Sequence, residues 1–489
     1  MRSTLFAVAL LALQAWGQLA DSVPDEEPPA RPRGLLVREP GTSPGYTLIS
    51  PLTSRQVYLL NMAGSVVHEW STGHTPGAAV YLLDDGTLLR CAREADNAFR
   101  GGGIGGRIQR IDKDGALLWD YDLSDATRSQ HHDIEPLPNG NLLAIIWERV
   151  PPGVAEAAGR DAETLGKDGV WPGAVLEIRP LPPTGGEVVW EWHAWDHLVQ
   201  DRLPGAPNHG VVAEHPGRID VNAGVRPGDE PLDPELDAQM RALGYVGGES
   251  EADADDDTPA RPNGDWLHLN SVSYQPDLEL ILLSTPRLNE IWVIDHSTTT
   301  EEARGSTGGR YGKGGDLLWR WGNPAMHGVP DAGRQLYAQH DARWIDGPDG
   351  SPRVLLFNNG LHRPGGEPPR STVEELVLPF DPEQGFVRSA DGTFGPASPD
   401  WIFGETPTLY SGILSGAQRL PNGNTLICSG ASGRLIEVMR DGRIVWDYWN
   451  THGVPRDQRK EPGRTPTYAL FRGTRIPPGH LGVVRLLAR

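Results

Sequence analysis

One short pattern recurs through the chain and limits what it can become. It reads Gly-x-Φ-Φ-Trp-acid/base-aromatic, with Φ apolar, and occurs as GALLWDY at Gly115, GEVVWEW at Gly186, GDLLWRW at Gly315 and GRIVWDY at Gly442. GSVVHEW at Gly64 is the same unit with His68 in the first Trp position, and DWIFGE around Trp401 is a worn copy. Each copy follows two other recurring pieces. One is a hairpin with a tight polar turn: YLLDDGTLLR, EPLPNGNLLAI, SYQPDLELILL, RWIDGPDGSPRVLL, QRLPNGNTLIC and a frayed TRIPPGHLGV near the C-terminus. Asn-Gly or Asp-Gly between apolar runs is the strongest local hairpin signal. The other is a short apolar strand: QVYLLN, RIQRID, AVLEIR, NEIWVID, EELVLP and RLIEVM. The repeat therefore holds about four strands and occurs six times, which predicts an all-β, six-bladed propeller with four-stranded blades. The first blade lacks its first strand at the N-terminus. The last segment, TRIPPGHLGVVRLL, is expected to supply it, so that strands from both ends of the chain close the ring in one blade.

Outside the repeats, residues 1–20 have the charge, short apolar run and small residues of a secretory signal peptide, with Arg2 before Leu5–Leu13. Export to the periplasm or the medium follows. Residues 21–44 read as a Pro-rich acidic linker, residues 45–489 as the propeller, and about 193–265 as an acidic insertion. That insertion carries ESEADADDD from Glu249, a solvated run. A formal net charge of −21 argues against nucleic acid as a partner. No stretch beyond the N-terminus is long and apolar enough to span a membrane. Cys91 and Cys428 fall one residue out of register in equivalent strands and so face opposite sides, which predicts two buried free thiols rather than a disulfide.

Aligning the hairpins on the apolar residue before each turn exposes the candidate site. His132 lies five residues before Leu137, His340 five before Ile345, and His268 six before Tyr274, a slip of one. The other three slots hold Gly77, Ser415 and Phe471. Equivalent positions in a propeller ring one mouth of the central channel, so three histidines distant in sequence should meet. Asn270 follows His268 by two residues, and Arg287 follows the next strand of the same blade. Asp133 and Asp341, directly after their histidines, read as structural. Three imidazoles with an amide and a guanidinium suit either a transition metal or an oxyanion. Arg287 favours the anion, so no metal and no cofactor are expected.

The stretches HHDIEPLPNGNLL, DWLHLNSVSY, LLSTPRLNEIWVID and QHDARW, with the GxxxWEW units, resemble the bacterial arylsulfate sulfotransferases, a family of secreted six-bladed propellers. The resemblance spans most of residues 45–480. It implies transfer of a sulfuryl group from a small aryl sulfate to a phenolic acceptor through a sulfated histidine, without a nucleotide donor. It implies that His340 is the nucleophile, that His268 and Asn270 hold sulfuryl oxygens, that Arg287 neutralises them, and that His132, rather than His131, completes the site. Two differences from the family stand out: only a short linker precedes the first strand, and the slot of the fifth hairpin in sequence order is Ser415. A non-catalytic binding propeller and a metal-dependent enzyme remain the alternatives.

Overall fold

The computed structural model describes residues 32–99, 101–224, 264–347, 350–365, 368–405, 409–453 and 467–488. Six antiparallel sheets follow one another around a central axis. Blade 1 pairs Leu470–Ile476 with Tyr46–Pro51, Gln56–Leu60 and Val66–Ser71. Blade 2 is Pro76–Leu82, Leu88–Arg93, Gly106–Ile111 and Leu117–Asp122. Blade 3 is Arg128–Pro136, Leu142–Glu148, Gly173–Pro180 and Gly186–His193. Blade 4 is Ser271–Gln275, Leu280–Thr285, Glu290–Asp295 and Trp319–Trp321. Blade 5 is His340–Ile345, Arg353–Asn358, Thr372–Val377 and Trp401–Phe403. Blade 6 is Gly416–Arg419, Thr425–Ser429, Arg434–Val438 and Ile444–Trp449. The first strand of each blade is the innermost and packs against the first strands of its neighbours.

Alternation sorts the middle strands between neighbours. In blade 4, Ile281 and Leu283 join the core shared with Leu143 and Val175 of blade 3, while Leu280 and Leu282 join Val354 and Leu356 of blade 5. Both faces are covered, so these strands are apolar throughout rather than alternating.

The recurring indoles stitch the ring together. Each outer strand sends a ring N–H to the segment between the third and fourth strands of the next blade. Trp119 donates to Gly185 O at 2.7 Å, Trp192 to Gly315 O at 2.7 Å, and Trp319 to Gly395 O at 2.8 Å. Trp401 donates to Arg440 O at 2.9 Å, and Trp446 to Met62 O at 3.1 Å. His68, in the Trp position of blade 1, bonds Lys113 O through Nε2 at 2.9 Å and completes the circuit. The apolar body of each indole fills the gap between blades, and its one polar atom finds a buried carbonyl.

The ends differ from expectation in detail. Leu470–Ile476 is the missing inner strand, paired Tyr46 to Ile476 through Ile49 to Gly473. The residues after it are not strand: Pro477, Pro478 and Gly479 stop the ladder, and Leu481–Leu487 is a helix capped by His480. Its Val483 and Leu486 are buried against blades 1 and 2 while Leu481 and Val484 face outward, the three-residue spacing of an amphipathic helix. Part of the expected linker is strand. Gly34–Arg38 pairs with Ile444–Trp449 as a fifth strand and covers the open edge of blade 6. The insertion opens with an ordered stretch. Leu198–Val199 runs parallel to Ile219–Asp220, and Leu198, Ile219 and Val221 enter the core of blades 3 and 4. The acidic run and the signal-like segment lie outside the described residues. Cys91 and Cys428 are both buried and free, as their register predicts.

Trp319→Phe should lower unfolding stability by about 1–3 kcal/mol, because the Gly395 carbonyl loses its donor inside the protein. His68→Phe, at a half-buried position, should cost less. Urea midpoints at constant m value would measure both.

Candidate active site

Four of the six innermost strands break register at the histidine slot. The irregularities fall at residues 76–80 in blade 2, beside Gln130–Ile134 in blade 3, at His340–Arg343 in blade 5 and at 470–473 in blade 1. A bulge inserts an extra residue and re-aims the side chains beside it. Asp341 takes φ +54° and Ala78 φ +95° within these bulges, and His268 takes φ +51° just before the blade 4 strand.

The expected histidines do gather. His132, His268 and His340 are buried, at 0%, 8% and 5% exposure. The His132 and His268 ring centres lie 5.6 Å apart. His340 lies within electrostatic reach of both: His268 disfavours its protonation, and it disfavours that of His132. His131 joins them, against expectation. Its ring lies 4.0 Å from His132 and 4.7 Å from His268, and stacks on Trp147 at 3.9 Å. Strict alternation would have sent His131 and His132 to opposite faces; the bulge brings both inward. Gly103 allows this, since a Cβ there would sit 2.8 Å from the His132 ring.

His340 is held in one tautomer. Its Nδ1 lies 2.9 Å from Asn359 Oδ1 and 3.0 Å from Ala338 O, both acceptors. The Asn359 amide cannot be reversed without loss, because its Nδ2 donates to Ser411 O at 2.7 Å and Leu414 O at 3.0 Å. The proton therefore sits on Nδ1 and the lone pair on Nε2. Burial pushes this imidazole down to about 4, against its hydrogen bond to Asn359, so it is neutral at neutral pH. Burial likewise pushes His131 down to about 3 and His132 well below its ordinary range.

His268 has a carboxylate partner. Its Nδ1 lies 2.5 Å from Asp265 Oδ2, and Trp147 Nε1 donates to Asp265 Oδ1 at 2.9 Å. Burial would raise this carboxyl; the charge and hydrogen bond of His268 overcome it and hold Asp265 ionised, below the usual carboxylate range. Asn270 Nδ2 gives one hydrogen to Gln339 O at 2.8 Å, tying blade 4 to the segment that leads into His340. Arg287 is exposed and adds positive charge near Asp265.

Asp133 and Asp341 take the structural role expected of them. Each accepts a backbone N–H from the next blade, Val272 to Asp133 and Ala417 to Asp341, both at 3.1 Å. Both also meet Arg472, at 2.7 Å each. Arg343 adds bonds to Asp341 at 2.8 Å and Glu135 at 2.7 Å. This charged layer fills the channel beside the histidines. A cavity of 1170 Å³ opens on this layer, lined by Asp341, Arg343, Arg472 and Trp344 among others, and none of the site histidines lines it.

Sequence reasoning missed Asp265, Trp147, Asn359 and Arg472. Asp265 stands at the end of the segment read as insertion, three residues before His268, a spacing that suits a carboxylate–imidazole pair. Arg472 follows Phe471 in the slot of blade 1, where only the slot residue drew attention. The nitrogens of His131, His132 and His268 lie within 4.8 Å of one another, close enough for the three to converge on a metal ion after a small contraction.

A six-bladed propeller is a scaffold for many activities, so the fold alone names none. The arylsulfotransferase (ASST) family model matches residues 54–444, and the chain belongs to that family. Arylsulfotransferase activity follows, with small aryl molecules as donors and acceptors. No curated protein matches the chain. Among solved structures it is similar to a protein of unknown function from Bacteroides caccae, at 13% identity and TM-score 0.41 over 88% of this chain and 98% of that one. It is also similar to Kuenenia stuttgartiensis hydrazine synthase, at 11% identity and TM-score 0.33 over 82% and 80%. No helix among the described residues is long and apolar enough to cross a membrane.

The depressed histidines set a stability slope. In the unfolded chain these imidazoles take protons near pH 6.5, and in the folded protein only far below it. The unfolded state therefore binds more protons as pH falls through 6.5, and stability drops. Between pH 7 and 5.5 each such group should cost roughly 1 kcal/mol. Urea unfolding of His131→Gln at both pH values should show a shallower loss than wild type.

Proposed function

We propose that the protein carries the sulfuryl group on His340. The observation behind this is the Asn359–His340 pair, which leaves a neutral imidazole with its lone pair on Nε2. In the first step Nε2 forms a bond to the sulfur of an aryl sulfate and the sulfur–oxygen bond to the aryl group breaks. The positive charge gained by the ring is met by the Asn359 and Ala338 oxygens at Nδ1. The departing phenolate takes a proton from Nε2 of His268, whose Nδ1 is backed by Asp265. In the second step a phenol gives that proton back to His268 and attacks the sulfur, and the nitrogen–sulfur bond breaks. His132, Asn270 and Arg287 supply hydrogen bonds and positive charge for the peripheral oxygens, where charge gathers in a loose transition state. No nucleotide donor is required. The N-terminal twenty residues support export, so the reaction belongs outside the cytoplasm.

Intact-mass measurement after mixing with 4-nitrophenyl sulfate should show one added sulfuryl group on wild type and none on His340→Ala, whose transfer rate should fall at least about 10³-fold. An adduct of equal mass on His340→Ala would remove His340 from this role. Asp265→Asn should slow transfer from phenyl sulfate more than from 4-nitrophenyl sulfate, because the poorer leaving group needs the proton more. Equal slowing of both would place the acid elsewhere.

One observation favours a second reading. The grouping of His131, His132 and His268, with Asp265 behind His268, also fits a transition-metal site with its outer carboxylate. About one tightly bound metal per chain, lost in His131→Ala together with transfer, would select it.

A further inference from the structure

Arg472 sits on the closing strand Leu470–Ile476, with 13% of its side chain exposed. Its guanidinium reaches three blades. Two nitrogens hold both oxygens of Asp133 at 2.7 and 3.0 Å. Its Nε lies 2.7 Å from Asp341 Oδ1, and one terminal nitrogen donates to the Asn270 carbonyl at 3.3 Å. Asp133 is the residue after His132, Asp341 the residue after His340, and Asn270 is itself a site residue two after His268. One side chain thus grips the backbone neighbourhood of every predicted channel histidine. We infer that Arg472 is a positioning residue for sulfuryl transfer, fixing the spacing of His132, Asn270 and His340 across the channel.

The inference rests on the reaction proposed above. Its physical basis is geometric. In-line transfer needs the nucleophile and the groups that bind the oxygens held to within fractions of an ångström, and a displacement near 1 Å can cost about 10²-fold in rate. A planar guanidinium binding one carboxylate through two nitrogens fixes direction as well as distance, which an ammonium cannot do. Its positive charge also opposes protonation of His340 and His132, a smaller effect than their burial.

Simple charge neutralisation of two buried aspartates is the competing role, and the same strand contains its control. Arg475 is more deeply buried, with 1% of its side chain exposed, and pairs with Glu437 at 3.1 Å, but it bonds Thr47 and Ser43 rather than any site neighbour. Arg472→Lys and Arg475→Lys should be compared for thermal stability and for kcat and KM with 4-nitrophenyl sulfate, per folded molecule. Both should lose stability. Arg472→Lys should lose about 100-fold in kcat with KM within about threefold, while Arg475→Lys keeps kcat. A kcat for Arg472→Lys within about threefold of wild type overturns the inference. Should Arg472→Lys not fold, Asp341→Asn loosens the same grip and should show the same kcat loss; wild-type kcat there overturns it equally. Should wild type transfer nothing, the proposed reaction fails on its own. The positioning role is then read from ¹⁵N shifts of labelled histidines in Arg472→Lys. Shifts at His132 and His340 that move while His68 and His197 stay support it, and unmoved shifts overturn it.

Discussion

Everything in this molecule waits on one strand. Leu470–Ile476 must travel back to Tyr46–Pro51, more than four hundred residues away along the chain, before blade 1 exists. Loop closure over that distance costs entropy, though only logarithmically in length. The return is collected in several currencies at once. The strand gives blade 1 its innermost ladder, and Leu470 packs into the core between blades 6 and 1. Arg475 binds Glu437 of blade 6 and Ser43 near the N-terminal edge. Phe471 sets its ring 5.1 Å from His132, and Arg472 enters the charged layer. Ring closure and assembly of the site are therefore the same event.

The outer circuit of indoles works with that strand rather than in place of it. Apolar packing between blades has no direction, and a propeller held by it alone could slip. The N–H of each indole has one partner, the turn of the following blade, so the bond sets register as well as contact. Blade 1 shows how far the pattern bends. His68 replaces the indole, keeps the ring N–H bond to Lys113 O, and stacks edge-on to Trp70 at 4.4 Å.

What the sequence shows and what it hides divide along a physical line. Blade number, strand order and ring closure were legible because they follow from periodicity and turn chemistry, which act over a few residues. His132, His268 and His340 were legible because the repeat itself places them. The remaining parts of the site depend on contacts between blades or on broken register. His131 escaped because alternation is the rule that a bulge breaks. Asn359 and Arg472 escaped because nothing local marks an amide or a guanidinium that will bond a strand from another blade. Asp265 was hidden by its place at the end of a segment whose composition suggested a solvated cover. The helix Leu481–Leu487 was misread as strand because a seven-residue apolar stretch fits either period until its packing partner is known.

The two His-Asp pairs bring scaffold and chemistry together. At each, one residue serves the site and the next serves the ring: His340 bonds Asn359 while Asp341 accepts from Ala417 in blade 6, and His132 joins the cluster while Asp133 accepts from Val272 in blade 4. Both pairs lie where the inner strand is bulged, and the blade 5 bulge is strained, with Asp341 at φ +54°. A side chain other than glycine in that region costs of order 1–3 kcal/mol and persists only where its surroundings hold it. Here the surroundings are ionic. Arg472 and Arg343 both hold Asp341, and Gly416 leaves room for its carboxylate where a Cβ would collide. Buried ion pairs add little net stability over well-packed apolar groups, because desolvation consumes most of their attraction. They do fix direction. A greasy plug in the channel would serve the fold as well and would leave the bulges free to relax into regular strand. The charged layer holds Asp341 in that conformation, directly beside the histidine it follows.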